Sequence, residues 1–402
     1  MSQHPKPQLI HILRTLSGGG PPRLVLGLIK SRTLADYRHT VVTLHDIRGD
    51  QGDMSAEFRD AGVRVLSCQP ALFNVVPHKR LRLWLRNNTY NLLGWQLARV
   101  LQRLGDGVVH SQTDYALHSQ ATAIVASVGA PFIWTLQGFV SAKRDDELAA
   151  AMTICQKGGA RVVAVSEAVK RDLLLRSTLP TDQCRVIYNG FSPSRLDSQA
   201  VRDEGWRRHQ GIPPDAIVFG ALGRLSSEKG YHLLLDALSR LVKQGIPAYA
   251  LLVGEGPARE SLEAQIVRLG LQSHAHLIGY QADIAFYLKQ MDVFVMSSLV
   301  EGLGIALIEA LSFGLPCIVT RVGGMPEVLN NSDDDSDNGM IVNPTVDALT
   351  QAMTTMLDTE TRQTYGQRGA AVAQRFTLEH CAEQYSALYE EVLKSQQHEL
   401  RR

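Results

Sequence analysis

The sequence predicts an α/β protein built from two Rossmann-like, doubly wound domains. Three observations lead there. Short apolar, β-rich runs alternate with helix-length amphipathic segments along almost the whole chain, the pattern of parallel sheets covered on both faces. At 402 residues the chain is too long for one ordinary domain and suits two. The rhythm breaks once, near Gly190–Ser194, where NGFSPSRL interrupts it. The domains expected are therefore 1–190 and 191–377, followed by a last helical segment, 378–402.

In the first half the strand-like runs are Gln8–Leu16, His39–Leu44, Val63–Leu66, Gly107–His110, Phe132–Leu136, Arg161–Val165 and Arg185–Tyr188. In the second they are Ile217–Leu222, Ala248–Val253, Ala275–Ile278, Asp292–Met296, Pro316–Val319 and Met340–Val342. Each is of strand length and bounded by turn residues. Between them lie helical patterns such as Lys229–Gln244 and Arg259–Leu269. Pro21 and Pro22 suit the first turn of a helix. Thr377 is placed to cap a last helix over Leu378–Leu393. The acidic run 332–338 lacks the alternating ligand spacing of a calcium loop and reads as a solvated loop.

Composition narrows the class. No apolar run approaches the ~20 residues of a membrane span. The start, MSQHPKPQLIHIL, has no signal-peptide core. Five scattered cysteines without a CxxC fit a reducing compartment, so a cytoplasmic protein is expected. The net charge of +1 hides an asymmetry: residues 1–190 carry 23 Lys/Arg against 14 Asp/Glu, and the remainder 18 against 26. The two halves offer different surfaces. No nucleic-acid-binding module is present to use the basic half.

The most informative stretch is 297–314, SSLVEGLGIALIEALSFG. Glu301 and Glu309 bracket a glycine-bearing loop between a strand and a helix. On one continuous helix, eight residues would set them about 80° apart. The reading therefore needs Glu301 in the loop and Glu309 on the helix. Strand C-termini and helix N-termini are where open parallel sheets bind anionic ligands. Two further loops fit that description. In Gly223–Gly230 a strand end is followed by Arg224 and by Lys229 at the next helix start, two cations that suit a diphosphate. Gly18-Gly19-Gly20 follows the first strand and lets backbone amides approach a ligand. Gly254–Pro257 reads more simply as a tight βα turn. Each feature alone also reads as ordinary surface.

Together, Gly18-Gly19-Gly20, Gly223-Arg224 with Lys229-Gly230, Val253–Pro257, Gly279-Tyr280-Gln281 and the Glu301/Glu309 pair resemble the retaining glycosyltransferases of family 4, which have the GT-B fold. The resemblance covers nearly the full chain. It implies two Rossmann-like domains facing across a cleft, a nucleotide-sugar donor in it, and a C-terminal helix that crosses back to the N-terminal domain. It implies that Arg224 and Lys229 hold the diphosphate and that Glu309 binds the ribose. Glu301 meets the donor sugar, Leu303, Gly304 and Ile305 offer backbone amides, and the main chain near Gln281 reads the base. The donor expected is a UDP-sugar or GDP-mannose. The acceptor is a saccharide or polyprenyl-linked saccharide of bacterial polysaccharide or lipopolysaccharide synthesis. No DxD-type motif is suitably placed, so neither a metal nor any other cofactor is expected.

Two departures stand out. Gln137, expected with Gly18, Gly19 and Gly20 among the donor-binding residues, occupies a loop where the family usually has a histidine; it can still contact a sugar hydroxyl or a phosphate oxygen. The acidic residue often found after the glycine pair is replaced by Pro21-Pro22. On the acceptor side, Lys79, Arg80, Arg82 and Arg86 alternate with Leu and Trp. That suits an anionic membrane surface as well as a packed amphipathic helix. His110, His118 and Asp114 lie near a strand end. The competing classes are a nucleotide-sugar epimerase of the same fold and a non-catalytic sugar-nucleotide-binding subunit. A dinucleotide oxidoreductase fails for want of GxGxxG.

Overall fold

A computed structural model describes residues 6–17, 19–45, 52–68, 90–114, 116–128, 132–191, 201–329 and 338–399. It divides into two compact units, one of residues 1–190 with 378–402 and one of residues 191–377.

The first unit is a parallel seven-stranded sheet: β1 (Gln8–Leu13), β2 (Arg38–Thr43), β3 (Arg64–Ser67), β4 (Val108–Ser111), β5 (Ile133–Leu136), β6 (Arg161–Ala164) and β7 (Cys184–Val186). The order is β3-β2-β1-β4-β5-β6-β7. All residues of β1, β4 and β5 are buried, which is why these strands read as continuous rather than alternating apolar runs. The first strand stops at Leu13, short of the predicted Leu16. The helix Gly20–Lys30 follows, with its prolines in the first turn.

The helix Leu378–Glu399 belongs to this unit. Leu378, Cys381, Ala382, Tyr385, Leu388, Tyr389 and Val392 share one core with Leu9, Leu24, Leu28, Val108, Ile133 and Val163. That spacing is one face of a helix. Its two buried tyrosines need partners for their hydroxyls. Tyr389 Oη pairs with His110 Nδ1 at 2.7 Å, and Tyr385 Oη with Thr135 Oγ1 at 3.0 Å. Thr135 Oγ1 is in turn 2.7 Å from His110 Nε2. His11 Nε2 lies 3.2 Å from His39 Nδ1, and the His11 and His110 rings are 6.0 Å apart. Burial lowers the pKa of His110 to about 3 and lowers those of His11 and His39 as well. His110 is therefore a neutral core residue rather than a strand-end contact for a ligand. Outside the core, Glu391 accepts from Arg161 at 2.8 Å and pairs with Arg185 at 2.6 Å, tying the helix to β6 and β7.

The second unit is a parallel six-stranded sheet: β8 (Ile217–Leu222), β9 (Ala248–Val253), β10 (Ala275–Gly279), β11 (Val293–Met296), β12 (Cys317–Thr320) and β13 (Met340–Val342). The order is β10-β9-β8-β11-β12-β13. Leu234, Leu235, Leu238 and Leu241 of the helix Tyr231–Lys243 share a core with Phe219, Leu252, Val293, Val295 and Ile318, and with Leu349 and Met353 of the helix Val346–Thr355. Elsewhere in this unit, Gly369 of the helix Thr359–Ala373 lies close to Leu311 of the helix Ile305–Ser312. In both sheets the strand order reverses once, between β1 and β4 and between β8 and β11. Chains leaving a sheet at such a point diverge and open a crevice beyond the strand ends.

Candidate active site

At the β8/β11 switch point two loops meet. The loop after β8 turns back at Gly230, whose φ of +62° is left-handed. A Cβ there would sit 2.0 Å from Ser297 O, so only glycine lets the loops touch. Ser297 Oγ donates to Lys229 O at 3.1 Å, and Leu299 N donates to Glu228 O at 2.7 Å. From below, Thr320 Oγ1 donates to Ser298 O at 2.5 Å. This brings together two side chains 72 residues apart: Lys229 Nζ is 2.5 Å from Glu301 Oε2. Ser298 Oγ donates to the same oxygen at 3.3 Å. The pair is largely buried, with side-chain exposures of 23% and 14%. Lys229 ends a short 3-10 turn, Ser227–Lys229, instead of starting the helix, which begins at Tyr231.

Arg224 is exposed on the same loop. Glu228 lies between the two cations. Burial would raise its pKa, but the Ser226 hydroxyl at 2.6 Å, its backbone and the charges of Arg224 and Lys229 outweigh that and lower it. Buried Tyr231 is pushed up by burial and by the charges of Glu301 and Glu228, so its hydroxyl stays protonated.

Glu309 lies on the helix Ile305–Ser312, which starts after left-handed Gly304. Leu303 and Gly304 are buried, and Ile305 and Glu309 are half-buried. First-turn N–H groups have no partner inside a helix, so this end suits an anion. The Gly254–Pro257 turn acts as a brace. Leu225 N donates to Glu255 O at 2.9 Å and Ala258 N to Leu225 O at 2.8 Å. Gly254 N donates to Gly279 O at 2.9 Å, at the end of β10. Gln281, half-buried, is two residues further on, before the helix Ile284–Lys289 that Asp283 caps through Ala285 N and Phe286 N. The loops after β8, β9, β10 and β11 are thus stitched into one edge. Among the described residues no group of three or more His, Cys, Asp or Glu side chains forms a metal site.

In the first unit, Gly19 caps the helix that begins at Gly20; Gly18 lies outside the described residues, as do Lys79, Arg80, Arg82 and Arg86. His118 is exposed and Asp114 half-buried. Gln137, half-buried after β5, sits in a line of amides that the sequence did not reveal. Asn189 Nδ2 donates to Gln137 Oε1 at 2.8 Å, and Gln137 Nε2 donates to Gln112 Oε1 at 3.3 Å. The signal available was positional: each amide follows a strand end. The helix Tyr90–Leu104 exposes Leu92 and Trp95, the latter 56% exposed with the Arg99 guanidinium 4.6 Å from its ring centre.

Family models match both halves. "Glycosyltransferase Family 4" covers residues 18–195, and "Glycosyl transferases group 1" covers residues 202–372. The sulfoquinovosyl transferase SQD2 of Arabidopsis thaliana is 30% identical over 55% of this chain and 44% of its own length. The lipopolysaccharide core biosynthesis glycosyltransferase LpsE of Rhizobium meliloti is 31% identical over 36% of this chain and 46% of its own. The match thus spans less than half the length of these relatives. Anabaena HepE, solved in complex with UDP and glucose, superposes with a TM-score of 0.77 at 23% identity, over 96% of this chain and 100% of that one.

Proposed function

Because the chain belongs to the family 4-type glycosyltransferases of the GT-B fold, we propose that it is a retaining hexosyltransferase that works without a metal. The donor is a nucleotide sugar, a UDP-sugar ahead of GDP-mannose. The acceptor is a saccharide or polyprenyl-linked saccharide of cell-surface polysaccharide or lipopolysaccharide synthesis, at the cytoplasmic face of the membrane. One observation carries this reading: Lys229 paired with Glu301, beside Arg224, at the switch point of the second sheet. UDP bound to HepE and the role of LpsE support the donor and the pathway class.

Breaking a glycosyl–phosphate bond leaves negative charge on the diphosphate and positive charge on the sugar. Arg224 and Lys229 stabilise the leaving group, as a divalent cation does elsewhere. An ammonium has three donors, so Lys229 can hold Glu301 and a phosphate oxygen together. Glu301 orients the sugar and Glu309 takes the ribose hydroxyls. The amides of Leu303, Gly304 and Ile305 face sugar and phosphate, and the main chain near Gln281 reads the base. Gly18, Gly19 and Gly20, through their amides, and Gln137, through its side chain, are further donor-binding residues. The acceptor attacks on the face the diphosphate leaves, and a departing phosphate oxygen takes its proton.

Peripheral membrane contact through Lys79, Arg80, Arg82 and Arg86 is part of the reading, supported by Trp95 and Arg99 on the helix that follows. Among the described residues no helix is long and apolar enough to cross a membrane.

The test is calorimetric UDP binding with turnover of a panel of UDP- and GDP-sugars. Arg224→Ala and Lys229→Ala should each lose about 1.5–3 kcal/mol of UDP affinity, one charge-assisted contact apiece. Unchanged affinity in both variants refutes the assignment.

A further inference from the structure

The proposed function leaves unused the two amides that flank Gln137 in the first unit, Gln112 and Asn189. Gln112 follows β4, Gln137 follows β5, and Asn189 lies three residues beyond β7. All three are at the carboxyl edge of the sheet, where open parallel sheets bind ligands, and β4 borders its switch point. Gln112 and Asn189 are buried, at 1% and 3% exposure, while Gln137 is half-buried.

Gln137 is held from both ends. Its carbonyl oxygen accepts from Asn189 and one of its N–H groups donates to Gln112. A primary amide has two N–H donors and two lone pairs. One of each remains, on a plane fixed at both ends. A sugar hydroxyl, which donates and accepts at once, matches that pair. So do two adjacent hydroxyls on one ring.

The cost of this arrangement shows at its ends. Gln112 Nε2 and Asn189 Oδ1 are buried and have no hydrogen-bond partner among the described residues. Leaving a buried donor or acceptor unmade is unfavourable, and an apolar side chain of the same shape would avoid it. Amides at both ends therefore work against stability and in favour of a fixed Gln137.

We propose that Gln112 and Asn189 are positioning residues that clamp the Gln137 amide at its sugar-hydroxyl subsite. The inference rests on the nucleotide-sugar reading above. The hydroxyl belongs either to the donor sugar or to the acceptor, and the two are separable by experiment.

Gln112→Met and Asn189→Leu keep volume and remove the hydrogen bonds. Both variants of the full chain should keep UDP affinity and should melt at or above the wild-type temperature, because a buried orphan is gone. Both should lose at least tenfold in kcat/KM with the best UDP-sugar of the panel. Combined with Gln137→Ala, neither should lower turnover further, because both act through that amide. If the subsite holds the donor sugar, hydrolysis of the UDP-sugar by water falls in step with transfer; if it holds the acceptor, hydrolysis is spared and the acceptor KM rises. Wild-type turnover in both variants, or losses that multiply with that of Gln137→Ala, overturns the clamp. A wild-type protein that binds neither UDP nor GDP overturns the nucleotide-sugar reading, and the subsite with it.

Discussion

Gly230→Ala isolates what the meeting of the two loops contributes. An L-residue in the left-handed region costs about 1–2 kcal/mol. The added Cβ would also lie 2.0 Å from Ser297 O, against an ordinary C···O contact of about 3.3 Å. The loops must part by more than about 1 Å, and the bonds from Ser297 Oγ to Lys229 O and from Leu299 N to Glu228 O go with them. At about 0.5–1.5 kcal/mol each, the total is about 2–5 kcal/mol before the Lys229–Glu301 pair is counted. Gly270→Ala is the matched control: φ is +70°, and nothing lies within 4 Å of the new Cβ. It should lose only the strain of about 1–2 kcal/mol. Denaturant unfolding and UDP calorimetry on both variants decide the matter. Gly230→Ala should be the less stable and should bind UDP more weakly, and turnover should fall about 100-fold for a misplacement of this size. Equal stability losses with unchanged UDP affinity in Gly230→Ala would refute the reasoning.

The two carboxylates should separate. Glu301→Gln removes the charge that Lys229 pairs with, so UDP affinity should hold or rise while donor turnover falls; Glu309→Gln should weaken UDP itself, and equal affinity losses in both would show the division to be wrong. Transfer should survive EDTA; complete loss restored by magnesium or manganese would show that Arg224 and Lys229 do not suffice for the diphosphate. Stability should also depend on pH through His11, His39 and His110. Burial depresses all three, so the unfolded chain takes up protons near pH 6.5 while the folded chain does not. Their contribution is complete above pH 6.5 and falls as the pH drops from there towards the folded values, by about 1.4 kcal/mol per unit for each histidine. The first unit should unfold more readily at pH 5 than at pH 7.5, and His110→Asn should blunt the difference; a midpoint unchanged between those pH values would count against the buried cluster.

Both parallel sheets were legible because strands buried on two faces are written as apolar runs, and Val293–Met296 and Cys317–Thr320 are such runs. The placement of Glu301 in a loop and Glu309 on a helix followed from glycines and helix formers in one short phrase. Distances across the site were not legible. That Lys229 touches Glu301 depends on a left-handed turn at Gly230 and on the order of β8 and β11 in the sheet, neither of which a linear spacing encodes. The same limit hid the Gln112–Gln137–Asn189 line, whose members come from three separate strand ends. His110 shows the converse. A strand-end position says nothing about which way a side chain faces, and this one turns into the core against Tyr389.

The helix Leu378–Glu399 sets a timetable for the ribosome. The second unit is one continuous segment and can close once residue 377 has emerged. The first unit begins 190 residues earlier but lacks the face formed by Tyr385, Leu388, Tyr389 and Val392 until the last helix is made. At about 5–20 residues per second, synthesis of residues 191–377 takes roughly 10–40 s. Through that interval Leu9, Leu24, Leu28 and Ile133 wait beside an uncovered groove. The half of the protein that is born first is thus completed last, and a chain cut short before residue 378 would leave that groove open in an otherwise assembled sheet.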